Sequence, residues 1–181
     1  MVPESDAASD ELHLGDPQGQ RELYERYRDR VYSIALYFLK GDETAAQDAT
    51  QDVFVKVFRS GSTFRQGSKV SSWLYRIVAN TCFDELRRRR RLVLYGDMPD
   101  ALHPAVAAAP RAGGDEEVMA AIRGLSPKLR MAVLLRYFDD LSYDDIGRAL
   151  GCSTGTVASR LNRAHAILAG ELSHRRQEVV R

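Results

Sequence analysis

Apolar residues return at three- and four-residue steps through most of this chain and nowhere alternate. That period restricts what the chain can build, because steps of three or four gather side chains on one helix face, whereas a strand needs steps of two. Leu23, Tyr27, Val31, Ile34, Ala35 and Phe38 form the first stripe. Lys40-Gly41-Asp42 interrupts it, since Gly favours a helix end. Ala46, Ala49, Val53 and Val57 mark a second helix, whose face Phe54 and Phe58 widen. Polar breakers around Phe64 make "RSGSTFRQGSKVS" a loop. Ser71 or Ser72 can cap a third, long helix with Leu74, Ile77, Val78 and Cys82 on one face. The expected fold class is all-α.

The period fails at both ends of a central stretch. "YGDMPDALHPAVAAAPRAGGD" holds three prolines, three glycines and an alanine tract, the composition of a flexible linker. Residues 92–115 therefore divide two small helical domains, 21–91 and 116–172. Residues 1–20 read as a disordered acidic tail and 173–181 as a C-terminal tail. In the second domain, Asp115 can cap a helix with Val118, Ala121, Ile122 and Leu125 inward. Ser126-Pro127 pairs an N-cap with a proline at the first helical position, ahead of Leu129, Ala132, Val133 and Tyr137. Ser142 followed three residues later by Asp145 resembles a capping box.

The net charge of +1 conceals blocks of opposite sign. Residues 1–20 carry −5, 21–91 carry +6, 92–115 carry −2 and 116–181 carry +2. No stretch reaches the roughly 18 apolar residues of a membrane span, and the acidic N-terminus is unlike a secretory signal. Two cysteines, Cys82 and Cys152, are too few for a disulfide framework and suit a reduced cytosol. His13, His103, His165 and His174 lack metal-ligand spacing, and the phosphate-loop, G-x-S-x-G and G-x-G-x-x-G motifs are missing. The sequence therefore points to no catalytic residue, no metal site and no cofactor.

"LSYDDIGRALGCSTGTVASRLNRAHAILAGEL" contains a short helix with Ile146, Ala149 and Leu150 inward, then Gly151, then a helix with Val157, Leu161, Ala164 and Leu168 inward. Two helices joined by a tight Gly-containing turn make a helix-turn-helix, whose second helix can enter the major groove. Ser153, Thr154 and Thr156 can bond to phosphates or bases, and Gly155 permits close backbone approach. Ser159, Arg160 and Arg163 lie outward, and Arg can bind guanine with two bonds. An ordinary helical hairpin with a basic face is the plainer alternative.

Two further patterns suggest partners. Asp48, Gln51 and Asp52 share one polar surface three to four residues apart, suited to an Arg-rich helix or simply to solvent. "SSWLYRIVANTCFDELRRRRR" sets Trp73, Tyr75 and Phe83 before Arg87 to Arg91. Aromatic rings can stack on unpaired bases while arginines follow phosphates, although Trp73 fits core packing as well. A run of like charge repels itself and calls for an external anion.

These pieces, in this order, resemble bacterial sigma factors of the extracytoplasmic function (ECF) class. "DATQDVFVKVF" resembles that family's helix for the RNA polymerase clamp. "SSWLYRIVANTCFDELRRRRR" resembles its helix for recognising and melting the minus-ten element. "LSPKLRMAVLLRYFDDLSYDDIGRALGCSTGTVASRLNRAHAIL" resembles its minus-thirty-five domain. The resemblance implies core RNA polymerase contacts at Asp48, Gln51, Asp52 and Phe54. It implies minus-ten contacts at Phe64, Ser68, Lys69, Trp73, Arg76, Asn80, Arg87 and Arg88, with a base captured by the loop around Phe64 to Ser71. It implies minus-thirty-five contacts at Ser153, Thr154, Gly155, Thr156, Ser159, Arg160 and Arg163. Promoter DNA, duplex and single-stranded, and core polymerase are the implied partners, with no small-molecule substrate. An anti-sigma factor fits two basic blocks that would otherwise bind nucleic acid freely. The implied location is the cytoplasm, with the membrane reached only through such an inhibitor. A conventional regulator using only the helix-turn-helix is the alternative, and it predicts tight duplex binding without polymerase.

Overall fold

In a computed structural model of the protein, residues 16–61, 69–95 and 114–179 are described, and they form seven α-helices without a strand among the described residues. The helices are α1 (Pro17–Phe38), α2 (Glu43–Ser60), α3 (Val70–Tyr95), α4 (Gly114–Gly124), α5 (Pro127–Tyr137), α6 (Tyr143–Leu150) and α7 (Thr154–Val179). Helix α1 starts four residues before the stripe from Arg21, because Asp16 caps it through the Gly19 N–H and Pro17 supplies a preset φ. Asp42 caps α2 in the same way through Ala45. Ser71 and Ser72 are not caps: both lie buried inside α3, which already begins at Val70. Asp115 likewise falls within α4, which begins at Gly114.

The apolar stripes do what their spacing predicts. All six residues of the first stripe are buried, as are Ala46, Ala49, Val53, Val57, Leu74, Val78 and Cys82. Helices α1, α2 and α3 pack on one another, and α5, α6 and α7 form a second group with α4. The groups are not apart. Helix α3 lies along α6, and α1 meets α4 and α5, so the buried residues of both form one continuous cluster. Helix α5 consequently buries Leu129 through Leu135 around its whole circumference. Two residues expected inward are out: Tyr137 is 57% exposed and bonds to His165, and Val118 is 37% exposed.

Arg130 is the most consequential member of α5. It is 2% exposed, and among the described residues no carboxylate pairs with it. Nε donates to the Ile122 carbonyl at 3.2 Å, Nη1 to Phe38 at 2.6 Å, and Nη2 to Arg123 at 2.6 Å and Leu125 at 2.7 Å. These are carbonyls at the ends of α4 and α1, where helices run out of internal donors. Burial pulls the guanidinium down to about 10, so it stays charged at neutral pH. The Phe38 ring lies 5.8 Å from it and adds a cation–π contact.

Arg130→Met would leave these carbonyls without donors, and each buried unpaired acceptor costs about 1–3 kcal/mol. Urea unfolding of that variant is expected to show a loss of about 3 kcal/mol or more, with Arg130→Lys recovering only part. A loss under about 1 kcal/mol would mean the carbonyls find other donors.

Candidate nucleic-acid interface

Helix α3 decides which of its polar residues can act together. At about 100° per residue, Lys69, Arg76, Asn80 and Arg87 return to within about 20° of one line. All four are exposed, and Arg90 and Arg91 at the end of the helix are exposed as well. The stripe from Lys69 to Arg87 runs roughly 27 Å, with Trp73 beside it, half-buried against the core. Phe64 and Ser68 lie outside the described residues. Tyr75 is wholly buried, and Phe83 packs edge-on against Phe38 with centroids 5.2 Å apart, so neither is placed to stack on a base.

The same rotation splits the arginine run. Arg87 pairs with Asp84 one turn back. Arg88 sits about 100° around the helix and bonds to Glu85 at 2.8 Å, near enough to Asp48 and Asp52 for both to raise its pKa. Arg89 turns to the opposite side, where it bridges Glu85 and Asp42 at 2.8 and 2.9 Å with its side chain 21% exposed. Arg88, expected at the minus-ten element, lines the rim of the α2–α3 cleft with its side chain 61% exposed. Arg89 ties the end of α3 to the start of α2.

That cleft, of about 400 Å³, is lined by Asp48, Gln51, Asp52, Lys56, Thr81, Asp84, Glu85 and Arg88. Asp48, Gln51 and Asp52 are exposed together, as their spacing requires. Phe54 is not with them. It is 3% exposed, with Tyr24 at 4.8 Å and Phe58 at 6.0 Å between ring centroids. On the other side of α2 an apolar cleft opens against α1, where Tyr24 and Val55 are each 40% exposed. Sequence reasoning missed these two, although Val55 is four residues beyond Gln51.

Helix α6, a turn and α7 form the helix-turn-helix. Ser142 caps α6, accepting from the Asp145 N–H at 3.1 Å and donating to its carboxylate at 2.6 Å. Gly151 closes α6 in the left-handed region at φ 62°, which glycine adopts without strain. Gly147 has a different reason to be glycine: a Cβ there would meet the Cys152 carbonyl oxygen at 2.8 Å. Ser153 caps α7 through the Thr156 N–H at 3.2 Å and bonds its hydroxyl at 2.9 Å. Thr154, Gly155, Ser159 and Arg163 are exposed, while Arg160 folds back to Cys152 Sγ at 3.5 Å. Asn162 is also exposed, seven residues after Gly155, and was not anticipated. Asn can bond adenine with two bonds.

Three carboxylates sit below their ordinary range for related reasons. Burial opposes the charged form in each, but the hydrogen bonds received outweigh it. Asp42 accepts from Ala45 and Arg89, Glu85 from Arg88 and Arg89, and Asp145 from Ser142, Ser72 and Lys69.

Comparison with known proteins fits this arrangement. A model of sigma-70 region 2 matches residues 23–92, and a model of sigma-70 region 4 matches 115–168. ECF RNA polymerase sigma factor SigE of Mycolicibacterium smegmatis is 36% identical over 166 residues, covering 87% of this chain and 63% of that protein. The chain thus spans less than two thirds of that relative's length. RNA polymerase sigma-H factor of Pseudomonas aeruginosa is 32% identical, covering 84% of this chain and 86% of that protein. ECF RNA polymerase sigma factor SigM of Mycobacterium tuberculosis is 33% identical, covering 94% and 86%. Among solved structures, the sigma factor RpoE bound to the anti-sigma factor NepR from Bartonella quintana aligns with TM-score 0.69 at 27% identity, covering 84% of this chain and 96% of that one. CnrH in complex with the cytosolic domain of CnrY shares the fold, with TM-score 0.68 at 23% identity over 93% and 97% of the two chains.

The fastened and the exposed members of the arginine run should separate experimentally. Arg89→Ala is expected to lower the unfolding free energy by about 1 kcal/mol or more, since it takes one charged donor from each of two partly buried carboxylates. Arg90→Ala and Arg91→Ala should stay within about 0.5 kcal/mol of the parent. Equal effects at all three would contradict the rotational assignment. The depressed carboxylates also set a pH dependence. Their contribution is complete above the unfolded carboxylate pKa near 4 and is lost as pH falls through the lower folded values. Thermal midpoints should therefore be flat above about pH 5 and decline below about pH 4.

Proposed function

This chain belongs to the ECF class of RNA polymerase sigma factors, and from that premise we propose that it joins core RNA polymerase and directs initiation at two-part promoters. The observation that carries the residue-level reading is the pairing, on one chain, of the exposed α3 stripe with an outward-facing helix-turn-helix. The stripe of Lys69, Trp73, Arg76, Asn80 and Arg87 would follow the minus-ten strand, with Arg90 and Arg91 at its far end. Its roughly 27 Å matches about eight stacked nucleotides at 3.4 Å each. Phe64 and Ser68 would belong to the loop that captures an extruded base, a step that costs a few kcal/mol of unstacking.

Helix α7 would read the minus-thirty-five duplex through Thr154, Gly155, Ser159, Asn162 and Arg163. Ser153, Thr156 and Arg160 would hold the start of that helix in place as much as touch DNA, because each already has an internal partner. Asp48, Gln51 and Asp52 would meet the polymerase clamp, and Phe54 would support that surface from beneath. Residues 21–91 and 116–172 then act as the two promoter-reading domains, extended at the first by the turn from Pro17, with 92–115 as their linker. Regulation by an anti-sigma factor and a cytoplasmic location accompany this reading. No described helix is long and apolar enough to cross a membrane.

The test is transcription with purified core polymerase and a library of promoter fragments. Initiation should depend on the protein and converge on one two-part motif. Arg76→Ala and Asn80→Ala should reduce strand opening, followed with permanganate, while leaving upstream protection intact. Arg163→Ala should do the reverse. Each lost base contact is worth about 1–3 kcal/mol, roughly a 5- to 150-fold loss. Strong specific duplex binding by the protein alone, with no response to polymerase, would instead favour the plain regulator.

A further inference from the structure

Lys56 carries the wrong charge for its place. It follows Asp48 and Asp52 at four-residue steps along α2, so the three form one row on the α2–α3 cleft. A cation in that row works against a basic partner, the kind of partner its acids suit. The ammonium crosses to α3 and donates to Thr81 Oγ1 at 2.9 Å, although Asp52 and Glu85 line the same cleft. Thr81 is 3% exposed, so its hydroxyl depends on a partner inside the protein. Because the acceptor is neutral, the bond leaves Asp48 and Asp52 uncompensated and open to a clamp.

A second bridge joins the same two helices. Arg89 Nη1 donates to Asp42 at 2.9 Å, and Asp42 also caps α2. The start of α2 is thus tied to the end of α3, and the end of α2 to the middle of α3, as in an antiparallel pair. The tie points at Thr81 and Arg89 stand roughly 12 Å apart along α3 and about 80° around it. Two such ties fix the rotation of α3 about its own axis. Apolar packing does so loosely, because burial has no direction, whereas a hydrogen bond is lost beyond about 3.2 Å. Thr81 lies about 120° around from the line of Lys69, Arg76, Asn80 and Arg87. Turning α3 by about 20° would carry the side-chain heads of that line roughly 2 Å sideways, enough to break a base contact.

Resting on the sigma-factor reading, we infer that Lys56 is a positioning residue for strand capture. It touches neither polymerase nor DNA. Through Thr81 it sets the rotation of α3 against α2, so that the stripe faces the minus-ten strand when α2 is seated on the clamp. Arg89 on Asp42 is the second fixed point. The surface that holds polymerase and the surface that holds the strand are thereby kept in one register.

The experiment uses the full chain with core polymerase and a promoter on which the parent initiates. Lys56→Met removes the ammonium and keeps the stem, and Thr81→Val removes the hydroxyl and keeps the shape. Each should slow strand opening, followed with permanganate, about tenfold, the worth of one lost base contact. Core affinity and upstream protection should fall by no more than about twofold, and the double variant should open no more slowly than either single one. Thr81→Ser retains the hydroxyl and should open like the parent. A merely structural role would lower opening, core affinity and upstream protection together, and that result would overturn the proposal. Normal opening in Lys56→Met would overturn it as well. Slowed opening in Lys56→Met but not in Thr81→Val would do the same, by placing Lys56 directly on polymerase or DNA. Circular dichroism checks folding, and Thr81→Ala takes the place of Thr81→Val if the latter is unfolded. Failure of the parent to initiate with polymerase on any promoter would instead fail the sigma-factor reading itself.

Discussion

A single guanidinium, buried without a counter-ion among the described residues, holds the ends of helices from both halves of the molecule. Helices leave carbonyls unpaired at their C-termini, and two such ends meet in the interior here. Arg130 is the one side chain long and planar enough to serve carbonyls of Phe38, Ile122, Arg123 and Leu125 together. Its charge is tolerated because each bond falls on the negative end of a peptide dipole. The positions of α1, α4 and α5 follow from it, and through them the seam that brings α3 against α6.

Helix rotation then distributes function. Five arginines in a row read as one basic block, yet an α-helix sends neighbours about 100° apart. Arg87 stays on the outward stripe, Arg88 turns to the acidic cleft, and Arg89 becomes a strut between α2 and α3. One run of identical residues thus supplies a surface, a cleft wall and a structural tie. The self-repulsion that the sequence suggested is relieved partly inside the chain, by Asp42, Asp84 and Glu85.

Much of the fold was legible beforehand because burial follows the helical period. The stripe from Leu23 to Phe38 is buried throughout, and the faces of α2, α3, α6 and α7 are buried except at Phe58, Ile77, Leu150 and Leu168, which are half-buried against the core. The capping roles of Ser142 and the turn at Gly151 were equally local, since a cap needs only a hydroxyl and an N–H three residues on. Reading failed where partners are remote. Tyr137 left the core for His165, and Ser72 proved to be a donor to Asp145 rather than a cap. Gly147 looked like any helical glycine until the Cys152 carbonyl was placed against it.

The sequence by itself determined the helices, their inward faces, the helix-turn-helix and the family to which the chain belongs. Each of these is written in steps of three or four residues or in motifs carried by contiguous segments. Only the tertiary structure decided which arginines face outward and which are fastened, that Arg130 would sit among four carbonyls, and that Asp145 would lie on Ser72 and Lys69. Those pairings join residues 73 and 76 positions apart, and 92 for Arg130 and Phe38. No local period encodes such a distance: it is fixed by how whole helices pack, where the burial of many side chains together outweighs the preference of any one.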